Sequence, residues 1–183
     1  QNLLDGVSSR AESAEKLVEL EANILNIRTK EHKRIVNEFV EMTKWLDIFY
    51  ELYYDPNEEA KVTYNVADQM HSLLVKVDRE DNRIEKDRED LEERLRKRKE
   101  EFSQQITILN NQIESLRSTY TEDFMAKEAN VMVDQLEEKL NDCLEEMEDI
   151  NRKEDLIGWP QTEFPKLGDA ESELKPYREM WRL

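Results

Sequence analysis

The stretch Glu101–Phe124, EFSQQITILNNQIESLRSTYTEDF, carries apolar side chains at Phe102, Ile106, Leu109, Ile113, Leu116, Tyr120 and Phe124. Steps of three and four keep all of them on one face of an α-helix, and such a seam needs a partner to cover it. Outward from this stretch nothing local stops the helix: residues 57–157 contain no glycine and no proline. The seam continues downstream at Val133, Leu136, Leu140, Cys143, Met147 and Ile150, and upstream as a thinner line through Val77, Ile84, Leu91 and Leu95. Ser118, Thr119 and Thr121 are weaker helix formers, so the chain can either bend over 118–130 or continue straight, and no glycine or proline there enforces a bend. The expected fold class is all-α, an elongated bundle of long, coiled-coil-like helices that ends in a short irregular segment and a final helix.

Composition supports this class. The chain has 183 residues, 39% charged against 38% hydrophobic, too little apolar content for a thick globular core. Regularly spaced apolar residues separate it from a disordered acidic chain. A formal charge of −17 repels phosphate backbones and anionic lipid surfaces, so neither nucleic acid nor membrane is expected as a partner. No apolar run reaches the roughly 18 residues that a membrane span requires. The single cysteine, Cys143, excludes an internal disulfide; its place in the seam reads as a small buried hydrophobe, and Glu145, Glu146 and Glu148 disfavour a thiolate. The chain begins at Gln1 with no signal-peptide pattern, and a piece of a longer protein is expected.

Four segments are expected. Residues 1–54 form a first long helix, starting at Ser9 with Glu12 as a capping box. Its stripe runs through Leu17, Leu20, Ile24 and Ile27, is interrupted at Glu31, and resumes at Ile35, Phe39, Met42, Leu46, Phe49 and Tyr53. The step of eleven from Ile24 to Ile35 is a stutter that locally unwinds a supercoil. Trp45, Tyr50 and Tyr54 widen the second half, which suits a bundle better than a two-stranded seam. Residues 55–61 form a turn, with Asp55 as cap, Pro56 at the first helical position and Glu58 at the third. Residues 62–157 form a long charged helix or helix pair, whose first half can lie antiparallel on the aromatic half of the first helix. Within it, 21 of the 26 residues from Lys76 to Glu101 are charged, and this part is expected to be solvated with little to pack against. If the chain folds back near residue 127, the acidic run Glu122–Asp155 comes alongside the basic run Arg94–Lys99.

Residues 158–183, GWPQTEFPKLGDAESELKPYREMWRL, break the pattern, with two of the three glycines, three of the four prolines and two of the three tryptophans. Gly158 can end the long helix in a left-handed conformation and Pro160 forbids its continuation. Phe164 and Pro165 make an apolar hook; Gly168 and Asp169 are expected as a turn and cap before a helix from Ala170 to Leu183. The candidate docking anchors are Trp159, Phe164, Pro165, Tyr177 and Trp181, set either against this chain's own end or against a neighbouring domain.

No residues point to catalysis or to a bound cofactor. His32 and His71 each stand alone, without a second ligand at metal spacing. There is no phosphate-cradling glycine loop, no nucleophile placed with a base, and no glycine-containing calcium loop. Acid pairs such as Glu92 and Glu93 lie on a helix without a pocket to separate their pKa values. Neither a metal nor a cofactor is expected in this segment.

Asn151, Glu154, the Leu156–Ile157 pair, Gly158, Thr162, Phe164, Pro165, Leu167, Leu174, Pro176, Tyr177 and Trp181 form a pattern over roughly the last 33 residues that resembles a dynein heavy chain of the axonemal type. It is similar to the stretch where the helical tail leads into the linker ahead of the motor ring; Trp159 departs from the smaller aliphatic residue expected before the proline. The preceding part of the chain adds only compatible character. The resemblance implies that the whole protein is an ATP-driven, minus-end-directed microtubule motor of cilia or flagella, using ATP and Mg elsewhere in the heavy chain. For this segment it implies a non-catalytic element coupling tail to linker and motor, with heavy, intermediate or light dynein chains, the downstream linker and, through the assembly, the microtubule doublet as partners. Its place is then the axonemal cytoskeleton. A general cytoskeletal coiled coil or spectrin-like scaffold is the alternative, and predicts further heptads or helical repeats in place of a linker.

Overall fold

The computed structural model describes residues 9–52, 55, 57–119 and 126–181, without the side chains of 117–119, 126–129 and 180–181. The fold is all-α, and among the described residues there is no strand. The helices are α1 (Ala14–Asn26), a π-helical turn (Ile27–Glu31), α2 (His32–Glu51), α3 (Asn57–Thr119), α4 (Ala126–Leu156) and α5 (Pro165–Trp181). The chain divides into two units, Gln1–Leu91 and Glu92–Leu183, and α3 supplies residues to both.

In the first unit α1 starts at Ser13, not Ser9: the Ser13 Oγ accepts the Lys16 N–H at 3.2 Å. Tertiary bonds decide this, because the residues of the expected first turn are held by α3. The Ala11 N–H donates to the buried Asp87 carboxylate at 3.0 Å and the Ser9 carbonyl accepts from Arg83 at 2.9 Å. Helix α1 then runs antiparallel to α3, as Arg88 donates to Glu21 at 2.8 Å and Arg28 pairs with Asp78 and Asp81. Leu17, Leu20, Ile24 and Ile27 are buried, as are Val77 and Ile84 of α3. The expectation that Lys76–Glu101 has little to pack against is therefore overturned. Asp78, Asp81 and Arg88 reach across to α1 and the π turn after it, and Asp87 to the residues just before α1, while Val77, Ile84 and Leu95 of its thin apolar line are buried and Leu91 is half-buried.

The stutter between Ile24 and Ile35 contains the π turn. An i→i+5 turn holds one residue more than an α turn, so the slip in the apolar stripe is absorbed locally, and the Thr29 hydroxyl bonds the Leu25 carbonyl at 2.7 Å. Beyond it Ile35, Phe39, Met42, Leu46 and Phe49 of α2 are only half-buried, and α2 has no fully buried residue. Met42, Trp45, Leu46 and Phe49 share a groove with Glu59, Val62 and Thr63 of α3, so the start of α3 lies beside the end of α2. Pro56, Tyr53 and Tyr54 lie outside the described residues; Asp55 is exposed and accepts from the Asn57 side chain at 2.5 Å.

The second unit is an up-down-up bundle of the α3 residues from 92 onward, α4 and α5. Arg98 pairs with Glu146 and with Asp149, and Lys139 donates to Gln112 at 3.0 Å, so α3 and α4 are antiparallel. The basic run and the acidic run meet as charge complementarity suggested. Asn110 donates to the Lys166 carbonyl at 3.0 Å and Arg178 pairs with Glu137 at 3.0 Å, setting α5 against both. Phe102, Ile106, Leu109, Ile113 and Leu116 of α3, Val133, Leu136, Leu140 and Ile150 of α4, and Leu167, Ala170 and Leu174 of α5 are buried. Cys143 is half-buried; burial pushes its thiol up, and Asp142 and Glu146 push it the same way.

Helix α5 begins earlier than expected. Pro165 stands at its first position, where a missing N–H costs nothing, and Gly168 and Asp169 lie inside the helix without making a turn. Glycine in a helix interior costs about 1 kcal/mol, which burial of Leu167 and Ala170 on either side outweighs. Pro176 is likewise inside the helix.

Candidate functional site

The junction between α4 and α5 is built on the helix stop. Gly158 has φ +78°, the left-handed conformation that glycine adopts without strain. The Trp159 N–H donates to the Glu154 carbonyl at 2.7 Å and the Gly158 N–H to the Asp155 carbonyl at 3.1 Å. This is the Schellman pair that satisfies the last carbonyls of a helix. It turns the chain so that residues 159–164 run back beside α3.

Glu154 is the centre of this junction. Its side chain is fully buried, and three groups compensate the charge: the Lys99 ammonium at 2.6 Å, the Thr162 N–H at 2.7 Å and the Thr162 hydroxyl at 2.6 Å. Burial alone would push this carboxyl up, but the lysine and the two threonine hydrogen bonds outweigh it and hold it below the usual carboxylate range. One carboxylate therefore ties the end of α4 to α3 and to the connecting segment at once. Nearby, Asp149 is held down by hydrogen bonds from Lys153 and Arg152 and by the charge of Arg98.

The predicted anchors divide. Trp159 is half-buried beneath two cations of α3, with the Arg96 guanidinium 5.0 Å and the Lys99 ammonium 5.8 Å from its ring centroid. Phe164 meets Phe102 edge to face, centroids 4.9 Å apart at 78°. Pro165 is exposed at the start of α5, and Tyr177 is half-buried further along it. The Trp181 side chain lies outside the described residues. Trp159 and Phe164 are thus brought together on one stretch of α3, with Glu154 and Lys99 between them. Periodicity missed the roles of Glu154 and Lys99, because a buried ion pair looks the same as a solvated one in a sequence where charge is everywhere.

Among curated proteins, the chain is 20% identical over 172 residues, 94% of its length, to dynein axonemal heavy chain 12 of Homo sapiens. It spans about 6% of the length of that relative. No family model and no solved structure matches the chain. The likeness is weak, yet it runs through nearly all of this chain, well beyond the last residues in which the heavy-chain pattern is read.

The charges of the site are spent on each other, and among the described residues no cluster of three His, Cys, Asp or Glu could hold a metal ion. No described helix is long and apolar enough to cross a membrane. What the arrangement can do is hold the end of one helix, the start of another and the side of a third in fixed register.

Proposed function

We propose that this chain is a non-catalytic tail segment of an axonemal dynein heavy chain, a minus-end-directed, ATP-driven microtubule motor of cilia and flagella. In this reading the segment couples the tail to the linker and motor and offers surface to heavy, intermediate or light chains, with ATP and Mg bound elsewhere in the heavy chain. The observation that carries it is the match along 94% of the chain to a human axonemal dynein heavy chain. The clasped junction supports it mechanically. A load applied at α5 reaches α3 through a buried ion pair, two cation–π contacts and an aromatic pair, rather than through a loose loop. The place of action is then the axoneme.

The three-helix arrangement of the second unit also suits a cytoskeletal scaffold of spectrin-like repeats, and one experiment separates the two. Trp159→Ala with Phe164→Ala in the full-length chain should leave ATP turnover intact and lower the velocity of microtubule gliding, because force leaks through a slackened junction. A full-length chain without ATP turnover overturns the motor reading, and gliding that is unchanged by the double substitution overturns the coupling role of the junction.

A further inference from the structure

Among the described residues, the end of α2 and the start of α3 expose a run of large apolar side chains. Trp45 is 60% exposed, Val62 55% and Tyr64 77%, and Val40, Ile48, Tyr50 and Leu52 are exposed as well. In the second unit a two-helix seam of similar spacing is closed by α5, whose Leu167, Ala170 and Leu174 are buried. The hairpin of α2 and the start of α3 has no third helix among the described residues. Its groove, floored by Met42, Trp45, Leu46, Phe49 and Val62, is apolar, the character of a surface that receives the apolar face of an amphipathic helix.

Charge selects the occupant. The cations beside the groove are already engaged within their own helices, Lys44 with Glu41 and Lys61 with Glu58, each at 2.7 Å. Glu59 lines the groove, and Asp47 and Glu51 stand in the same turns of α2; among the described residues none of these three has a cationic partner. A second copy of the chain would bring another formal charge of −17 to this acidic rim. We infer that the groove of α2 and α3 receives an amphipathic helix of another protein, with leucine-like side chains at helical three-four spacing and lysine or arginine along its edges. This deepens the reading of the chain as a coupling segment that offers surface to other subunits, and rests on it only for the identity of the complex.

Two labelled 18-residue helical peptides of one leucine stripe, flanked by lysines in one and glutamates in the other, test this by fluorescence polarisation against the whole chain. The lysine peptide should bind one to one, at least tenfold tighter than the glutamate peptide, with the difference shrinking as salt is raised. Trp45→Glu, at an exposed position, should weaken the lysine peptide at least tenfold with unchanged circular dichroism, and Glu59→Lys should narrow or invert the preference. Equal binding of both peptides, binding of neither, or insensitivity to Trp45→Glu overturns the inference. So does sedimentation as a dimer that Trp45→Glu dissolves, which would make a second copy the occupant. None of these outcomes touches Trp159 or Phe164, so failure here leaves the gliding experiment to decide the motor reading separately.

Discussion

At the scale of single residues, Glu154 carries the most. It is fully buried and satisfied by Lys99 and by both donors of Thr162, so deleting it strands an ammonium and two donors together. Glu154→Ala should lower unfolding stability in urea by about 2–4 kcal/mol, near the low end for a broken buried pair because Lys99 keeps some access to water. Glu154→Gln, which retains an acceptor, should lose less. The pH dependence has a definite sign. The folded-state pKa is held below the unfolded value of about 4.3, so the contribution is fully present above that value and is lost as pH falls through the folded pKa. Subtracting the Glu154→Gln urea curve from that of the parent should give a difference that is flat from neutral pH to the ordinary glutamate range and then shrinks. A difference that grows on acidification would show the carboxyl to be protonated in the folded state.

At the scale of elements, the apolar periodicity of α3 and α4 was legible, and so was the stop at Gly158, because each is a local consequence of residue type. The two misplaced helix starts have physical causes. Ser9 has the side chain of a cap, but the backbone two residues on is bonded to Asp87 of α3; Gly168 has the freedom of a turn, but Pro165 has already begun a helix whose apolar face is buried. Tertiary bonding overrode local preference in both. The interval between Ile24 and Ile35 is the opposite case, where the sequence marked an irregularity and the π turn is its structural form. Since that turn holds one residue more than an α turn, deleting Lys30 should return it to α-helix with α1 and α2 still in phase, at a cost in urea of less than about 1 kcal/mol. Adding an alanine after Lys30 should instead turn the α2 stripe by about 100° and cost more than about 2 kcal/mol. A deletion more harmful than the insertion would mean that the π turn itself holds α1 in place.

For the molecule as a whole, the question is whether its charge helps or hinders folding, and range decides it. The cations that cross between helices, among them Arg28, Arg88, Arg98 and Lys99, meet their carboxylates at about 2.5–2.9 Å. At such separations added salt screens little, and each exposed pair contributes only about 0.2–1 kcal/mol. The surplus of 44 acidic over 27 basic residues leaves 17 uncompensated carboxylates, which repel one another over longer distances. The screening length falls from about 30 Å at 0.01 M to about 10 Å at 0.1 M salt, so that repulsion is what salt removes. Raising sodium chloride from about 0.01 to 0.2 M should therefore raise the thermal midpoint of the chain. The same titration on a variant with several exposed carboxylates neutralised, such as Glu138→Gln with Glu145→Gln and Glu148→Gln, should give a smaller rise. A midpoint that falls with salt would mean the cross-helix ion pairs outweigh the self-repulsion, and would move the stability of the bundle from its apolar seam to its charges.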